Sequence, residues 1–318
     1  MEASVVADHL SKQFGLFRAA DGVTFFAHGG EIFGLLGPNG AGKTTTIRLI
    51  ATILQPTDGT ASVCGTDIRE HPEEARKHIG VLTTEIGVYE RFSGRENLRY
   101  FGMLYGLNGE TLERRINELV ALLDMADFID RRAGKYSTGM KQKLAIARSV
   151  IHNPDVIIFD EPTAGLDVLA SQTVIRFMKN SREQRKLVIL STHEMTDAEK
   201  LCDRVAIMHN GKILTTDTVE GVKQKTGGRD LEEAFVSLVH GGNTVQPREQ
   251  LQKMDAKKSF FFLSRPILLR MITVVLVVIG IVGDMLHWFQ NSVGYALIIL
   301  GALFALGARR LKRTSPQP

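Results

Sequence analysis

Eight consecutive residues, Gly37-Pro38-Asn39-Gly40-Ala41-Gly42-Lys43-Thr44, fit the pattern G-x-x-x-x-G-K-[ST]. The chemistry of that spacing is the holding of a phosphate chain. Glycines let successive backbone N–H groups turn inward around an anion, and a helix that starts at the loop adds the positive end of its dipole. The flanks suit the motif: the apolar run Glu31–Leu36 reads as a strand before the loop, and Thr45–Leu54 reads as a helix after it. In that frame Lys43 reaches the β- and γ-phosphates and the Thr44 hydroxyl ligates Mg²⁺. A Gly-rich turn that binds nothing would not need all eight positions in this context. The chain is therefore expected to bind a nucleoside triphosphate.

A second group of residues supplies what hydrolysis requires. Val156–Phe159 (VIIF) is a buried strand that delivers Asp160 and Glu161 to its carboxyl end, where open α/β sheets place their ligands. Asp160 would hold Mg²⁺ through water, since that ion keeps several of its waters. Glu161 is the candidate to orient and deprotonate the attacking water. A D-E pair is common on any surface; the preceding apolar run is what sets this pair apart. A histidine, His193, stands just past a second apolar run, Leu187–Leu190. His193-Glu194 also begins an H-E-x-x-H pattern, but Asp197 occupies the second histidine position and excludes a zinc protease. His28, His71, His152 and His209 form no ligand spacing, and Cys64 and Cys202 lie far apart without C-x-x-C spacing, so both read as reduced, buried thiols without chemistry.

Positioning these groups takes a domain of ordinary composition followed by a different segment. The 318 residues exceed one usual domain, and 44% hydrophobic content supports a substantial core. Residues 5–35 alternate apolar runs with turn signals and suggest antiparallel strands. From about Glu85 to Arg132, Leu98, Phe101, Leu104, Leu112, Ile116 and Leu119 recur at helical spacing, which suggests an inserted helical subdomain at about 85–150. A helix is expected around Ala170–Arg182 and a hairpin turn at Asn210-Gly211. The fold class is thus α/β, a P-loop NTPase with a mixed sheet, spanning residues 1–240. Residues 241–262 read as a polar linker. Ile267–Gly283 and Val293–Ala308 are nearly all apolar, with Lys257, Lys258, Arg265 and Arg270 before them and Arg309, Arg310, Lys312 and Arg313 after. That pattern predicts a two-helix membrane hairpin over 263–310 with both ends cytoplasmic, and a basic tail at 311–318. Two buried helices of a soluble domain would show similar runs. No secretory signal peptide is expected at the start. Of the net charge of +4, the residues from Val245 onward carry +7 and the remainder −3, so the nucleotide-binding part is not a nucleic-acid binder by charge.

Tyr136-Ser137-Thr138-Gly139-Met140-Lys141-Gln142-Lys143 completes the set. A hydroxyl and backbone N–H groups at a helix start make an anion site, although an ordinary N-cap at Ser137 explains the same residues. Together with the P-loop and the VIIF-Asp160-Glu161 strand, it resembles the ATP-binding subunits of ABC transporters across roughly residues 3–240. The segment is similar to the signature loop written LSGGQ, departing at Tyr136, Thr138 and Met140 but keeping Ser137 and Gly139. Its form, with Leu231–Phe235 (LEEAF), looks most like the group that holds sodium-, drug- and polysaccharide-export ATPases. The resemblance implies that Pro162–Asp167 is the D-loop, that His193 bonds the γ-phosphate, and that Phe14 stacks on adenine. The glutamine of the family's Q-loop is missing; Thr84 or Glu85 takes its place, and Glu85 there would sit near the metal.

The family's mechanism implies the partners. One ATP is shared between Gly37–Thr45 of one copy and Ser137, Thr138 and Gly139 of another, so two nucleotide domains close around two ATP molecules. A separate permease subunit is implied, with the ATPase at the cytoplasmic side of the cell membrane, because a two-helix hairpin is too small to enclose a path. An ABC-type ATPase acting on a macromolecular complex instead of a permease is the other reading.

Overall fold

The structure is a computed structural model and describes residues 3–83 and 87–240. The linker, the 263–310 segment, the basic tail and Glu85 with its neighbour Thr84 lie outside the described residues.

Two sheets share one core. The first strands, β1 (Ser4–Phe14) and β2 (Phe17–His28), pair antiparallel from Ser4↔His28 to Phe14↔Phe17. With β4 (Asp58–Val63) and β5 (Thr66–Asp67) they form a four-stranded sheet ordered β2-β1-β4-β5. The second sheet contains β3 (Ile32–Leu36), β6 (Ile79–Leu82), β7 (Val156–Asp160), β8 (Leu187–Thr192), β9 (Arg204–His209) and β10 (Lys212–Thr218). Its order is β10-β9-β3-β8-β7-β6, parallel except for the β9–β10 hairpin. Asn210 and Gly211 at that hairpin take φ 48° and 80°. Two positive φ values are what a two-residue turn matching strand twist demands.

Strand periodicity explains the two-sided burial. Val156 and Ile158 of β7 face the antiparallel sheet and α1 (Lys43–Ile50), whereas Ile157 and Phe159 face the helices. All five residues of β3 and of β7 are buried, which is why these strands read as unbroken apolar runs rather than alternating ones. On the helical side, α3 (Gly94–Leu104), α4 (Gly109–Leu122) and α5 (Thr138–Ser149) pack Leu98, Leu112, Ile116 and Leu144 into one cluster with α6 (Val168–Glu183). Helix α3 is opened by a capping box in which Ser93 accepts from Glu96 N and the Glu96 carboxylate accepts from Ser93 N. The remaining helices, α2 (Pro72–Lys77), α7 (Met195–Leu201), α8 (Val219–Thr226) and α9 (Leu231–Val239), close the periphery.

The mixed sheet, antiparallel region and helical part match the expectation from sequence. The differences are local. Helix α1 runs from Lys43 to Ile50, starting earlier and ending sooner than Thr45–Leu54. The short β4–β5 hairpin, with its Gly and Thr content, gave no periodic signal. No helix among the described residues is long and apolar enough to cross a membrane.

Candidate functional site

The loop after β3 is built around two backbone approaches that only glycine permits. Gly37 has φ 154° and a Cβ there would stand 2.3 Å from the Met208 carbonyl oxygen; Gly42 has φ 102° and its Cβ would stand 2.3 Å from the Ala19 carbonyl oxygen. The loop is thereby wedged between β9 and β2. Gly211 N donates to the Ala41 oxygen at 3.0 Å and fixes the β9–β10 turn to the same loop. Helix α1 begins directly at Lys43, so its free N–H groups open towards the loop.

Lys43 is 5% exposed and donates from Nζ to the Gly37 oxygen at 2.7 Å and the Pro38 oxygen at 3.2 Å. Burial pushes its pKa down, while Glu161 and Asp160 pull it back up. Its ammonium is thus held across the mouth of the loop by carbonyls of the loop itself, where a phosphate oxygen would compete for it.

Strand β7 delivers Asp160 beside that lysine. Asp160 is 2% exposed; its Oδ1 accepts from Thr44 Oγ1 at 3.2 Å and from the Ser191 hydroxyl in a short bond. Its Oδ2 is buried without a partner. A buried carboxylate oxygen left unpaired is costly, and hard oxygen donors from Thr44 and Asp160 are the set that Mg²⁺ takes. The residues present fit that ion.

Glu161 follows in a left-handed conformation, φ 50°, with its N–H donating to the Ser191 oxygen at 3.1 Å. A non-glycine residue held there is strained by order 1–3 kcal/mol, a feature that clusters at functional sites. Its Oε1 lies 2.9 Å from His193 Nδ1, with the carboxylate side chain 21% exposed. The structure therefore brings Lys43, Thr44, Asp160, Glu161 and His193 to one end of the parallel sheet. Ser191, fully buried and bonded to Asp160, was missed by sequence reasoning; its place in Leu190-Ser191-Thr192-His193 was a signal that pointed only to the histidine.

The signature-like segment is placed separately. Ser137 caps α5, accepting from Met140 N at 3.3 Å, and both Ser137 and Thr138 are exposed. Gly139 packs closely on α6, because a Cβ there would stand 3.0 Å from Ala170 Cβ. Asp167 caps α6 by accepting from Ala170 N at 2.8 Å. The two helix starts are therefore neighbours. Gln142 Nε2 donates to the Pro162 oxygen at 2.8 Å and ties α5 to the turn after Glu161. Phe14 ends β1, 48% exposed, with Lys12 Nζ 5.4 Å from its ring centre. It lies at the tip of the hairpin whose β2 arm touches Gly42 through Ala19.

A P-loop at the carboxyl end of a parallel strand, an adjacent Asp-Glu pair and an inserted helical part define a P-loop ATPase. Comparison with known proteins narrows the class. The family model described as ABC transporter matches residues 20–164. The ABC transporter ATP-binding protein NatA of Bacillus subtilis (strain 168) is 42% identical over 226 residues, 70% of this chain and 92% of that protein. The Nod factor export ATP-binding protein I of Paraburkholderia xenovorans (strain LB400) is 34% identical over 250 residues, 79% of this chain and 81% of that protein. A solved ATP-binding subunit of an ABC transporter superposes with a TM-score of 0.69 at 32% identity, covering 74% of this chain and 99% of that one. The chain belongs to the ABC transporter family, as an ATP-binding subunit that hydrolyses ATP.

Proposed function

We propose that this chain powers export through a separate permease, with two copies of its nucleotide-binding domain closing around two ATP molecules. The observation that carries the chemistry is the unpaired Asp160 Oδ2, buried beside Thr44, Lys43 and Glu161. In this reading the backbone of Gly37–Thr45, with Pro38, Asn39, Gly40 and Ala41 forming its outer turn, cradles the phosphates, and Phe14 stacks on adenine. Thr44 and Asp160 hold Mg²⁺, which supplies charge neutralisation at the phosphates when bound. Lys43 exchanges its carbonyl partners for phosphate oxygens. Glu161 accepts the proton of the attacking water, and His193 keeps that carboxylate oriented and bonds the γ-phosphate. Little covalent work is asked of the protein; positioning and charge stabilisation suffice.

Ser137, Thr138 and Gly139 meet the nucleotide of the partner copy, and Asp167 lies on the same face. The exposure of Ser137 and Thr138 on the neighbouring starts of α5 and α6 supports this division. Export is supported by the similarity to an export ATP-binding protein, and the group that the signature-like loop and Leu231–Phe235 resemble makes sodium or a drug the candidate cargo, with the choice residing in the permease. The apolar runs within 263–310, a segment outside the described residues, support a two-helix membrane hairpin with the nucleotide-binding domain on the cytoplasmic side. Thr84 or Glu85, both outside the described residues, takes the sequence position of the missing glutamine.

Glu161→Gln tests the assignment. Turnover should fall by roughly 10²–10⁴-fold, the usual contribution of a general base, while ATP binding persists and an ATP-bound dimer accumulates on size exclusion. Joint loss of ATP binding and dimerisation in that variant would refute the role. Alkaline carbonate releasing the full chain from membranes would count against the hairpin, and ATPase activity stimulated by nucleic acid rather than by a co-expressed permease would count against transport.

A further inference from the structure

The sheet end opposite the P-loop holds a second cluster of chemically capable residues that the ATPase reaction does not use. Cys64 follows β4, His78 precedes β6 and Asp155 precedes β7. Because Ile79 and Val156 pair in the parallel sheet, His78 and Asp155 stand side by side at the strand starts, whereas Asp160 stands at the finish of β7. His78 Nδ1 lies 2.8 Å from Asp155 Oδ2, and one ligand atom from each of Cys64, His78 and Asp155 lies within 4.8 Å of the others. We propose that Cys64, His78 and Asp155 form a three-ligand site for a divalent, borderline-soft cation, zinc in the first place.

The donor set argues for that ion. A thiolate, an imidazole and a carboxylate are three of the ligand types Zn²⁺ accepts, and three protein ligands with one open position is a common arrangement for it. Mg²⁺ and Ca²⁺ prefer oxygen donors alone. The charge balances as well, since one thiolate and one carboxylate neutralise the dication. Three separate elements supply the ligands, so the folded protein, not a local sequence motif, builds the site.

Access and holding geometry agree with the donor chemistry. The thiol is buried, 3% exposed, while the imidazole and carboxylate side chains are 24% and 49% exposed. Asp155 also lines a surface cavity of about 440 Å³ with Asn153, Gln184, Arg185 and Lys186. Cys64 is held at φ 50°, a left-handed conformation uncommon for a non-glycine residue, and its N–H donates to the Ser4 oxygen at 2.8 Å. Without metal, burial and the Asp155 charge push the thiol pKa up, so it is protonated at neutral pH. Binding forms the sulfur–metal bond and releases the thiol proton to solvent. Lys186 feels the Asp155 charge, and its Nζ donates to the Pro154 oxygen. A bound ion would staple the β4–β5 turn to the starts of β6 and β7 and thereby join the antiparallel sheet to the parallel one.

The test uses the tag-free full chain, reduced and stripped with chelator. Titration with Co²⁺, a spectroscopic stand-in for Zn²⁺, should develop the thiolate-to-cobalt charge-transfer band and the d–d bands of a four-coordinate site, and Zn²⁺ should bleach both. Cys64→Ser should abolish the charge-transfer band and Cys202→Ser should keep it. His78→Ala and Asp155→Asn should each weaken Zn²⁺ binding by about 10–100-fold, the scale on which even outer partners of metal ligands act. ATP binding should be intact in these variants, because the P-loop is at the other end of the sheet. A second readout does not depend on the Cys64 variant folding: at one Zn²⁺ concentration the melting temperature of the unsubstituted chain should rise clearly more than that of Asp155→Asn. No charge-transfer band with the unsubstituted chain, a band that survives Cys64→Ser, or equal melting shifts in both proteins overturns the site.

Discussion

Asp160 shows how few atoms set the catalytic end of this molecule. Its Oδ1 is bound by two hydroxyls, those of Thr44 and Ser191, and its Oδ2 is bound by none. Two donors on one oxygen hold the carboxylate in one orientation and leave the other oxygen without a protein partner. Ser191 thus orients the metal-binding group without touching nucleotide. Ser191→Ala should leave Asp160 less firmly oriented and raise the Mg²⁺ concentration needed for half-maximal ATPase activity by about tenfold, the lower end of the effect of removing an outer-shell partner. Unchanged Mg²⁺ dependence, measured at saturating ATP, would remove Ser191 from the account. Gly42 offers a contrasting residue-scale argument. Its φ of 102° and the 2.3 Å approach of the Ala19 oxygen leave no room for a methyl group, so Gly42→Ala should cost ATP binding through loop geometry rather than lost contacts. Equal ATP affinity in Gly42→Ala, read by isothermal titration, would contradict it.

At the scale of elements, what was legible in the sequence tracks how local its cause is. Strands β3 and β7 announce themselves because both faces are buried, and α3 and α4 because Leu98, Leu112 and Ile116 repeat at helical spacing. Lys43, Thr44, Asp160 and Glu161 were readable because loop and strand end lie within their own motifs. Ser191, Gln142 and the Cys64–His78–Asp155 cluster were not, because each acquires its partner only when segments distant in sequence pack together. His152 belongs to the same hidden class. It stacks on Tyr105 with ring centres 3.9 Å apart, and its Nε2 lies 3.1 Å from the Ile79 oxygen while Nδ1 is buried unpaired. Burial pushes its pKa down from 6.5 to about 4. Between those values the unfolded chain takes a proton that the folded one refuses, so stability falls as pH drops from 6.5 and levels off below about 4. The loss amounts to at most about 3 kcal/mol. His152→Phe, which keeps the ring stack, should flatten that part of the stability–pH curve in urea titrations. Parallel curves for the two proteins would show that other groups govern the acid limb.

On the scale of the whole molecule, the question is what covers the face where α5 and α6 begin. Val168 and Leu169, the first two residues of α6, are 72% and 77% exposed, and they adjoin Asp167 and the packing contact between Ala170 and Gly139. Single exposed apolar residues are ordinary, but this pair sits beside the loop that the dimer reading assigns to a partner's nucleotide. In a closed dimer that face is buried twice, once from each copy, so a charge placed on it is paid for at both symmetry-related contacts. Val168→Glu should therefore weaken ATP-induced dimerisation steeply, by about tenfold or more in dimer affinity, while a single protomer binds ATP as before. Combined with Glu161→Gln, it should convert the trapped dimer back to an ATP-loaded monomer on size exclusion. The pairing separates assembly from binding: if the double variant remains dimeric, this face is not the interface, and the shared nucleotide must be assigned to another surface of the domain.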